Sequence, residues 1–282
     1  LQQQIADWEK TAQAELKPSP AGRLVAHFPF EGQIEGRHLG TSLVFQGGIL
    51  SQSSKFDATQ HVEWAGDFDT DAPWTLGLWL SADTSLAGVL SKIEPEGRRR
   101  GLEVIWQKGR FQINLVSQWG TDAIELVTQE PATGKKWHHL VVSHNGTRRA
   151  AGMQVFIDGQ PVAVKVMNDS LRDSTQCAEP LRIGRRDAGL GFYGQLDELR
   201  LLQQPVAAAE VQSWFWSERL RGIVATPAAR RPAADKILLQ DWYVEHHADA
   251  PTRAAHHHLN EARAAEATLR ESIPTTLVMQ EL

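Results

Sequence analysis

The sequence predicts a mainly β protein, an antiparallel sandwich or barrel with α-helices at both ends of the chain. The first observation behind this class is the distribution of glycine. Of the 22 glycines, all but Gly222 lie between Gly22 and Gly194, so turn residues occur throughout the middle of the chain and are scarce at its ends. The second observation is that apolar and polar residues alternate in this middle region with the period of two that is typical of strands.

The first predicted element is an amphipathic helix over residues 2–16. Ile5, Trp8 and Leu16 recur at helical spacing among Gln, Glu and Lys, and prolines follow directly. We therefore assign residues 1–20 to an N-terminal flanking helix.

Short strands separated by Gly, Asp and Pro turns are predicted over residues 21–204. In PWTLGLWLS, Trp74 and Leu76 begin a row of apolar residues on one face, and RFQINLVS alternates in the same way. The pair Asp158-Gly159 after MQVFI is a strong hairpin signal. Strands this short, without helices between them, predict a sandwich or a barrel.

A helical C-terminal flank is predicted over residues 205–282. After Pro205 the composition shifts to alanine, and the segments VAAAEVQSWFWSERL, DKILLQDWYVEHH and PTRAAHHHLNEARAAEATLRES have helical periodicity. The chain starts at Leu1 and stops at Leu282 after an apolar run, which we interpret as a piece of a longer protein, with this flank leading toward a further domain.

Composition excludes several function classes. Hydrophobic residues make up 41% of the 282 and charged residues 22%, which is ordinary for a globular chain. The net charge of −5 argues against a nucleic-acid partner. A single cysteine, Cys177, excludes an intrachain disulfide framework and a thiolate metal cluster. No apolar run reaches the roughly 18 residues that a membrane span needs.

A succession of segments resembles a known family. In order, they are HVEWAGDFDTDAPWTLGLWL, LSKI, GLEVIWQKGRFQINLVSQWGTDAIELVT, KKWHHLVVSHNGTRRAAGMQVFIDGQPV, PLRIGRRD and FYGQLDELRLL. This succession resembles the laminin-G-like, or concanavalin A-like, jelly-roll domain over residues 23–204. The variety most similar to it is embedded in planctomycete-type multidomain proteins that carry c-type cytochrome.

The resemblance implies a two-sheet antiparallel jelly-roll sandwich whose concave face is rimmed by loops. It implies a non-catalytic binding module in an exported protein, periplasmic or at the cell surface, with a polysaccharide or glycan as the expected partner. The alternative is a structural or protein-interaction domain that orients neighbouring domains of the same polypeptide. Haem is expected only elsewhere in such a host, because this sequence contains no C-x-x-C-H motif.

Catalysis is the least favoured function. Hydrolases that share the fold carry Glu-x-Asp-x-x-Glu on one strand, and their chemistry needs a pair of carboxylates. In GQLDELR, Gln195 replaces the first Glu and Arg200 stands where the second should be, so only Asp197 keeps its place. A hydrolase or lyase would therefore need another set of residues.

A structural calcium ion is a further expectation from the resemblance. In related jelly rolls an aspartate of the last strand helps to hold calcium with oxygens of the first strand. Here the ligands would be Asp197, Glu31 and the carbonyl of Gly32. Calcium takes six to eight oxygens, and the alternative is that Asp197 caps a turn or pairs with an arginine.

Two tryptophans are candidates for ligand binding. Trp119 lies in SQWGTD close to Asp122, in a predicted loop where an indole could stack on a sugar ring. Trp106 lies on a strand and could face the concave groove. Core packing is the alternative for both indoles.

The loop arginines complete the candidate site. Arg99 belongs to an RRR turn, while Arg185 and Asp187 follow the predicted strand PLRIG. Loops at the rim of a sandwich often carry function, and a bidentate arginine could hold an acidic sugar or the carboxylate of a partner. A solvated turn is the alternative.

Overall fold

The computed structural model describes residues 1–16, 22–133, 135–187 and 189–272. The predicted fold class is confirmed, because these residues form two antiparallel eight-stranded sheets and four α-helices. The chain divides into two compact units, one of Leu1–Gln13 with Ile223–Leu282 and one of Ala14–Gly222, which contains both sheets. Part of each predicted flank, residues 17–20 and 273–282, lies outside the described residues.

The strands and helices are numbered in chain order. The strands are β1 (Leu24–Phe28), β2 (Arg37–Leu39), β3 (Val44–Gly47), β4 (Gln52–Asp57), β5 (His61–Trp64), β6 (Trp74–Ala82), β7 (Leu86–Ile93), β8 (Gly101–Gln107), β9 (Arg110–Gln118), β10 (Asp122–Thr128), β11 (His138–His144), β12 (Met153–Ile157), β13 (Gln160–Pro161), β14 (Val164–Asp169), β15 (Leu181–Ile183) and β16 (Tyr193–Leu202). The helices are α1 (Gln2–Glu15), α2 (Ala208–Ala225), α3 (Ala233–His247) and α4 (Ala250–Ser272).

The strands form two sheets, which we call sheet A and sheet B. Sheet A has the order β13-β12-β11-β6-β16-β4-β3, and β1 also pairs with β16. Sheet B has the order β14-β10-β9-β8-β7-β15-β5-β2. Most neighbours in each sheet are distant in sequence, so the chain crosses repeatedly between the two sheets, as a jelly roll requires.

One hydrophobic core lies between the sheets, and strand alternation builds it. On β6, Trp74 and Leu76 start the predicted row of inward residues, and both are fully buried. On β8 of sheet B the inward row consists of Leu102, Val104 and Trp106. The residues between them point to the opposite face of each sheet, which we call its outer face.

The outer face of sheet A is covered by α2. Trp214 of α2 is fully buried and lies against Gly77 of β6, where a Cβ atom would collide with the indole. Glycine at this position therefore allows the helix to pack directly on the strand. This second, smaller apolar cluster contains Val141, Phe156, Leu202, Val206, Val211 and Trp214.

The outer face of sheet B carries a loop. The segment after β15 lies against Gly88 of β7, where a Cβ atom would meet the backbone of Arg186. Ser91 of β7 donates a hydrogen bond from Oγ to the carbonyl of Arg185 at 3.1 Å. The loop is thereby attached to the middle of the sheet.

The helical unit has contacts of its own. Trp8 of α1 packs on Trp242 of α3 with ring centroids 5.2 Å apart, and Arg231 forms an ion pair with Glu9 at 2.9 Å. No helix in the described part of the chain is long and apolar enough to cross a membrane.

Candidate functional site

Three loops that are distant in sequence meet at one end of sheet B. They are the β7–β8 loop (94–100), the β9–β10 turn (119–121) and the segment after β15 (184–191). The backbone N–H of Trp119 donates to the carbonyl of Arg98 at 2.9 Å, which joins the first two loops. Arg99 Nη2 donates to Asp187 Oδ2 at 2.9 Å, which joins the first loop to the third. We call Arg98, Arg99, Trp119, Arg186 and Asp187 the Arg–Trp cluster.

A tight turn places Trp119 at the tip of the β9–β10 hairpin. The N–H of Thr121 donates to the carbonyl of Gln118 at 3.2 Å, which closes a four-residue turn. Gly120 has a φ of +76°, a value that favours glycine and is typical of the third position of a type II turn. The indole of Trp119 consequently projects beyond the sheet and keeps 36% of its surface exposed.

Two guanidinium groups lie over the indole of Trp119. The Cζ atoms of Arg99 and Arg186 are 5.2 Å and 5.4 Å from the ring centroid, within the range of cation–π contacts. Both groups also approach the same oxygen, Oε2 of Glu103, at 3.9 Å and 2.7 Å. Both guanidinium groups are therefore close to Glu103 as well as to the indole, which keeps part of its surface exposed.

Glu103 is the buried anchor of the cluster. Its side chain is fully buried on the outer face of β8 and accepts hydrogen bonds from Arg186 Nε at 2.7 Å and from Asn114 Nδ2 at 2.6 Å. A buried carboxylate needs such partners, because leaving one unpaired is costly. Glu103 was not among the predicted site residues, and Arg186, although it belongs to the predicted basic loop after PLRIG, was not selected as a ligand-binding residue. The available signal was the charged residue within the otherwise apolar strand GLEVIWQ, which requires a basic partner.

Asp187 fixes the third loop. Its Oδ1 accepts the N–H of Gly189 at 2.9 Å, and its Oδ2 accepts the bond from Arg99. Partial burial pushes the pKa of Asp187 upward, but these hydrogen bonds and the charge of Arg99 outweigh it, so the pKa lies below its ordinary value. The carboxylate is therefore ionised at neutral pH, and both of its oxygens are engaged within the protein.

The arginines of the β7–β8 loop retain unused hydrogen-bond donors. The Arg98 side chain is exposed, and no partner contacts it in the described part of the chain. The Nε atoms of Arg99 and Arg100 are buried without a hydrogen-bond partner among the same residues. Arg99 adopts a φ of +53°, a strained backbone conformation for a residue with a side chain, of the kind that often occurs at binding sites.

The structure places the other predicted residues differently. Arg185 lies beside the cluster and donates from Nε to the backbone carbonyl of Asp187. Asp122 instead accepts the N–H of Arg172 at 2.6 Å, so its carboxylate holds the chain after β14. Of the six predicted ligand-binding residues, Trp119, Arg99 and Asp187 come together.

The prediction that Trp106 could face a ligand groove is wrong. Its indole is 2% exposed and lies in the core between the sheets, with Nε1 donating to the carbonyl of Thr84 at 2.9 Å. The physical reason is alternation, because Trp106 shares the inward row of β8 with Val104.

The carboxylates expected to hold calcium make hydrogen bonds within the protein. Asp197 is fully buried and its Oδ2 accepts the N–H of Ile49 at 2.7 Å, while Glu31 accepts the N–H of Gln52 at 3.1 Å. No group of three or more His, Cys, Asp or Glu in the described ranges could hold a metal ion. These oxygens fall short of the number that calcium takes. The contact of Asp197 corresponds to the turn-capping alternative, and calcium has no role in the function proposed below.

Comparison with known families identifies the sandwich. The model of the Laminin_G_3 family, described as the concanavalin A-like lectin/glucanases superfamily, matches residues 56–212, which is more than half of the chain. The chain belongs to this family. The matched region of this laminin-G-like domain runs from the end of β4 into α2 and includes the whole Arg–Trp cluster. No curated protein matches the sequence significantly.

Solved structures with a similar fold include toxin binding domains. The binding domain of Paraclostridial Mosquitocidal Protein 1 is 15% identical with a TM-score of 0.55, and covers 69% of this chain and 52% of its own. The botulinum neurotoxin serotype D/C binding domain is 9% identical with a TM-score of 0.52, covering 69% and 52%. A type C botulinum neurotoxin structure, described as dependent on two ganglioside molecules for cell entry, is 9% identical with a TM-score of 0.51, covering 70% and 51%.

The laminin-G-like chain thus spans about half the length of these proteins. At such low sequence identity the likeness shows a common fold and no more.

Proposed function

We propose that this laminin-G-like domain is a non-catalytic binding module, and that its ligand is a carbohydrate bound at the Arg–Trp cluster. The observation that carries the proposal is the 36% exposed indole of Trp119, which lies at the tip of a closed turn. An aromatic ring offers a large apolar face with little conformational freedom, which suits it to stack on the C–H face of a sugar. The binding-domain descriptions of the similar structures, and the gangliosides named for one of them, support the same class of function.

The indole is held in position before any ligand arrives. The backbone N–H of Trp119 donates a hydrogen bond to the carbonyl of Arg98, and the guanidinium groups of Arg99 and Arg186 lie over the indole ring. The guanidinium of Arg99 donates a hydrogen bond to Asp187, and that of Arg186 donates one to Glu103. A preorganised site loses little conformational entropy on binding, so even one stacked ring can contribute usefully to affinity.

The carboxylates of the cluster support a non-catalytic role. Glycoside hydrolysis needs a pair of carboxyl groups that reach the sugar, one of which carries a proton. Glu103 is fully buried and bonded to Arg186 and Asn114, and Asp187 has a lowered pKa with both oxygens engaged. Glu103 is therefore inaccessible to a sugar, and Asp187 has neither a proton to donate nor a free oxygen.

Affinity electrophoresis against a panel of neutral and charged polysaccharides tests the proposal, followed by isothermal titration with any that bind. We expect Trp119→Ala to weaken binding about tenfold or more, as truncation of a central aromatic contact does. Tyr193→Ala is the matched control, because Tyr193 is also an exposed aromatic residue, at 42%, but lies on sheet A. This control variant should bind as the unmodified domain does.

Two outcomes would contradict the proposal. One is that the domain retains no polysaccharide of the panel, and the other is that Trp119→Ala binds with unchanged affinity. If polysaccharides fail but a neighbouring domain of the same polypeptide binds through Trp119, the function is the protein-interaction alternative. The exported setting, and haem elsewhere in the host protein, stay predictions.

A further inference from the structure

The hydrogen-bonding groups of the Arg–Trp cluster indicate which class of carbohydrate it selects. Resting on the carbohydrate-binding function proposed above, we propose that the cluster prefers an anionic glycan, one that carries carboxylate or sulfate groups, over a neutral one. This preference follows from the donors and acceptors that remain available to a ligand.

The acceptors of the cluster are already engaged. The carboxylate of Glu103 accepts hydrogen bonds from Arg186 and Asn114, and that of Asp187 accepts them from Arg99 and Gly189. A sugar hydroxyl is both a donor and an acceptor, so a site for a neutral sugar needs acceptors as well as donors. The carboxylates of Asp187 and Glu103 are used within the protein.

Donors are what the cluster still offers. The exposed guanidinium of Arg98 has no partner in the described ranges. A guanidinium carries five N–H donors and no acceptor. Carboxylate and sulfate oxygens are acceptors only, and arginine binds such groups with two parallel charge-assisted hydrogen bonds. The chemistry of the free groups therefore matches an anion.

The local charge agrees with this match. The three loops contain Arg98, Arg99, Arg100, Arg185 and Arg186, and these five outnumber the acidic residues of the loops together with Glu103 beneath them. The whole chain, by contrast, has a net charge of −5. A small positive surface on a negative protein attracts an anionic polymer specifically to that surface.

The position of Arg98 connects this charge to the stacking surface. The carbonyl of Arg98 accepts the N–H of Trp119 at 2.9 Å, so the backbone that carries the Arg98 side chain is in contact with the backbone of Trp119. A sugar ring stacked on Trp119 would bring an acidic substituent within reach of this guanidinium. Arg98 thus supplies the charge selection, while Arg99 and Arg186 hold the indole.

Matched pairs of polymers test the inference by isothermal titration. Polygalacturonate is compared with its fully methyl-esterified form, and dextran sulfate with dextran, because the members of each pair share a backbone and differ in charge. We expect at least one charged member to bind and its neutral counterpart to bind about tenfold or more weakly, with an affinity that falls as salt is added. The pair that responds distinguishes carboxylate from sulfate recognition.

Arg98→Ala distinguishes specific binding of the charged polymer by Arg98 from nonspecific attraction of the polymer to positive charge. It should weaken binding of the charged polymer about tenfold, the loss expected for one charge-assisted contact. Lys165→Ala on β14 removes the same charge from another exposed position of sheet B and should leave binding unchanged. Equal losses in the two variants would mean nonspecific attraction and would overturn the inference.

The polymers also distinguish failure of this inference from failure of the proposed function. If neutral polymers bind as tightly as their charged counterparts and Trp119→Ala weakens both, the carbohydrate-binding function stands and the preference for anions is wrong. If no polymer of either kind binds, the proposed function itself fails.

Discussion

The outer faces of the two sheets contain the same three residue types in opposite settings. On sheet A, Arg200 lies over Trp214 at 5.7 Å and forms an ion pair with Glu218, and the indole is fully buried. On sheet B, Arg186 lies over Trp119 at 5.4 Å and forms an ion pair with Glu103, but this indole is 36% exposed.

The difference between the two faces comes from what covers them. The helix α2 lies on sheet A and excludes solvent from Arg200 of the sheet and from its own Trp214 and Glu218, whereas the segment that carries Arg186 lies on the outer face of sheet B. An Arg–Glu–Trp arrangement is therefore not by itself a binding site. Under a helix it stabilises the fold, and at a loop tip it leaves an aromatic surface free for a ligand.

Removing the indole beneath α2 should have the largest effect on stability. Trp214→Ala would leave a cavity between the helix and Gly77, and we expect it to lower the free energy of unfolding by about 3–5 kcal/mol. Urea denaturation followed by circular dichroism measures the change. Ser213→Ala is the control, because this neighbour on the same helix is exposed. Similar midpoints for the two variants would show that α2 does not seal sheet A.

Breaking the buried charge network of sheet A should have the next largest effect. Arg200 donates to Glu198 at 2.5 Å and also to Glu218, so Arg200→Met leaves two buried carboxylates without their cation. We expect a loss of about 3–5 kcal/mol in the free energy of unfolding. The double variant Arg200→Met/Glu218→Leu should recover part of this loss. If the double variant is less stable than the single one, uncompensated charge is not the cause.

The sequence predicted the sandwich well because the strand pattern is local. The inward row that begins at Trp74 and Leu76 could be recognised from alternation alone, and the Asp158-Gly159 turn from its residue types. Trp106 was ambiguous for a physical reason. Both faces of β8 are buried, one by the core and the other by the loop that carries Arg186, so neighbouring residues do not reveal which face is inward.

The site was predicted less completely because its contacts join residues that are far apart in sequence. Arg99 meets Asp187, and Arg186 meets Glu103, across more than eighty positions in each case. The residue type and predicted loop of Trp119 were sufficient to propose it. The internal use of Asp122 depends on its contact with Arg172, which the sequence does not show.

A smaller, pH-dependent effect is expected at Asp197 beneath α2. Burial, together with the nearby charges of Glu198 and Glu218, raises the pKa of Asp197 from its ordinary value of 3.8 to about 8. The folded state therefore keeps a proton that the unfolded state releases above pH 3.8, and stability falls as pH rises toward about 8. Asp197→Asn retains an oxygen for the N–H of Ile49 and should remove this dependence.

The lower pH limit for this measurement is set by His139, a buried histidine of sheet A. Burial lowers the pKa of His139 to about 3 from 6.5, so His139 reduces stability only as pH falls below 6.5. Between about pH 6.5 and 8 the slope contains Asp197 together with His138, because burial lowers the pKa of His138 but its hydrogen bond to Asp158 outweighs burial and raises the pKa above 6.5. The difference in slope between the wild type and Asp197→Asn therefore isolates the contribution of Asp197. Identical slopes in the two proteins would assign the whole dependence to other groups.

The smallest stability effects are expected at the open face of sheet B. Trp119→Ala and Arg98→Ala alter side chains that project into solvent, and each should change the free energy of unfolding by no more than about 0.5–1 kcal/mol. The same urea titrations measure both variants. A large loss for Trp119→Ala would mean that its indole is part of the structural framework, as that of Trp214 is.

Hydrogen–deuterium exchange with and without a bound polysaccharide tests the central distinction between the two faces most directly. We expect the ligand to slow exchange in the loops around Arg98, Trp119 and Arg186, and to leave β6, β16 and α2 unchanged. Protection confined to sheet A and α2, with no change at the three loops, would contradict the assignment of the binding site to the open face of sheet B.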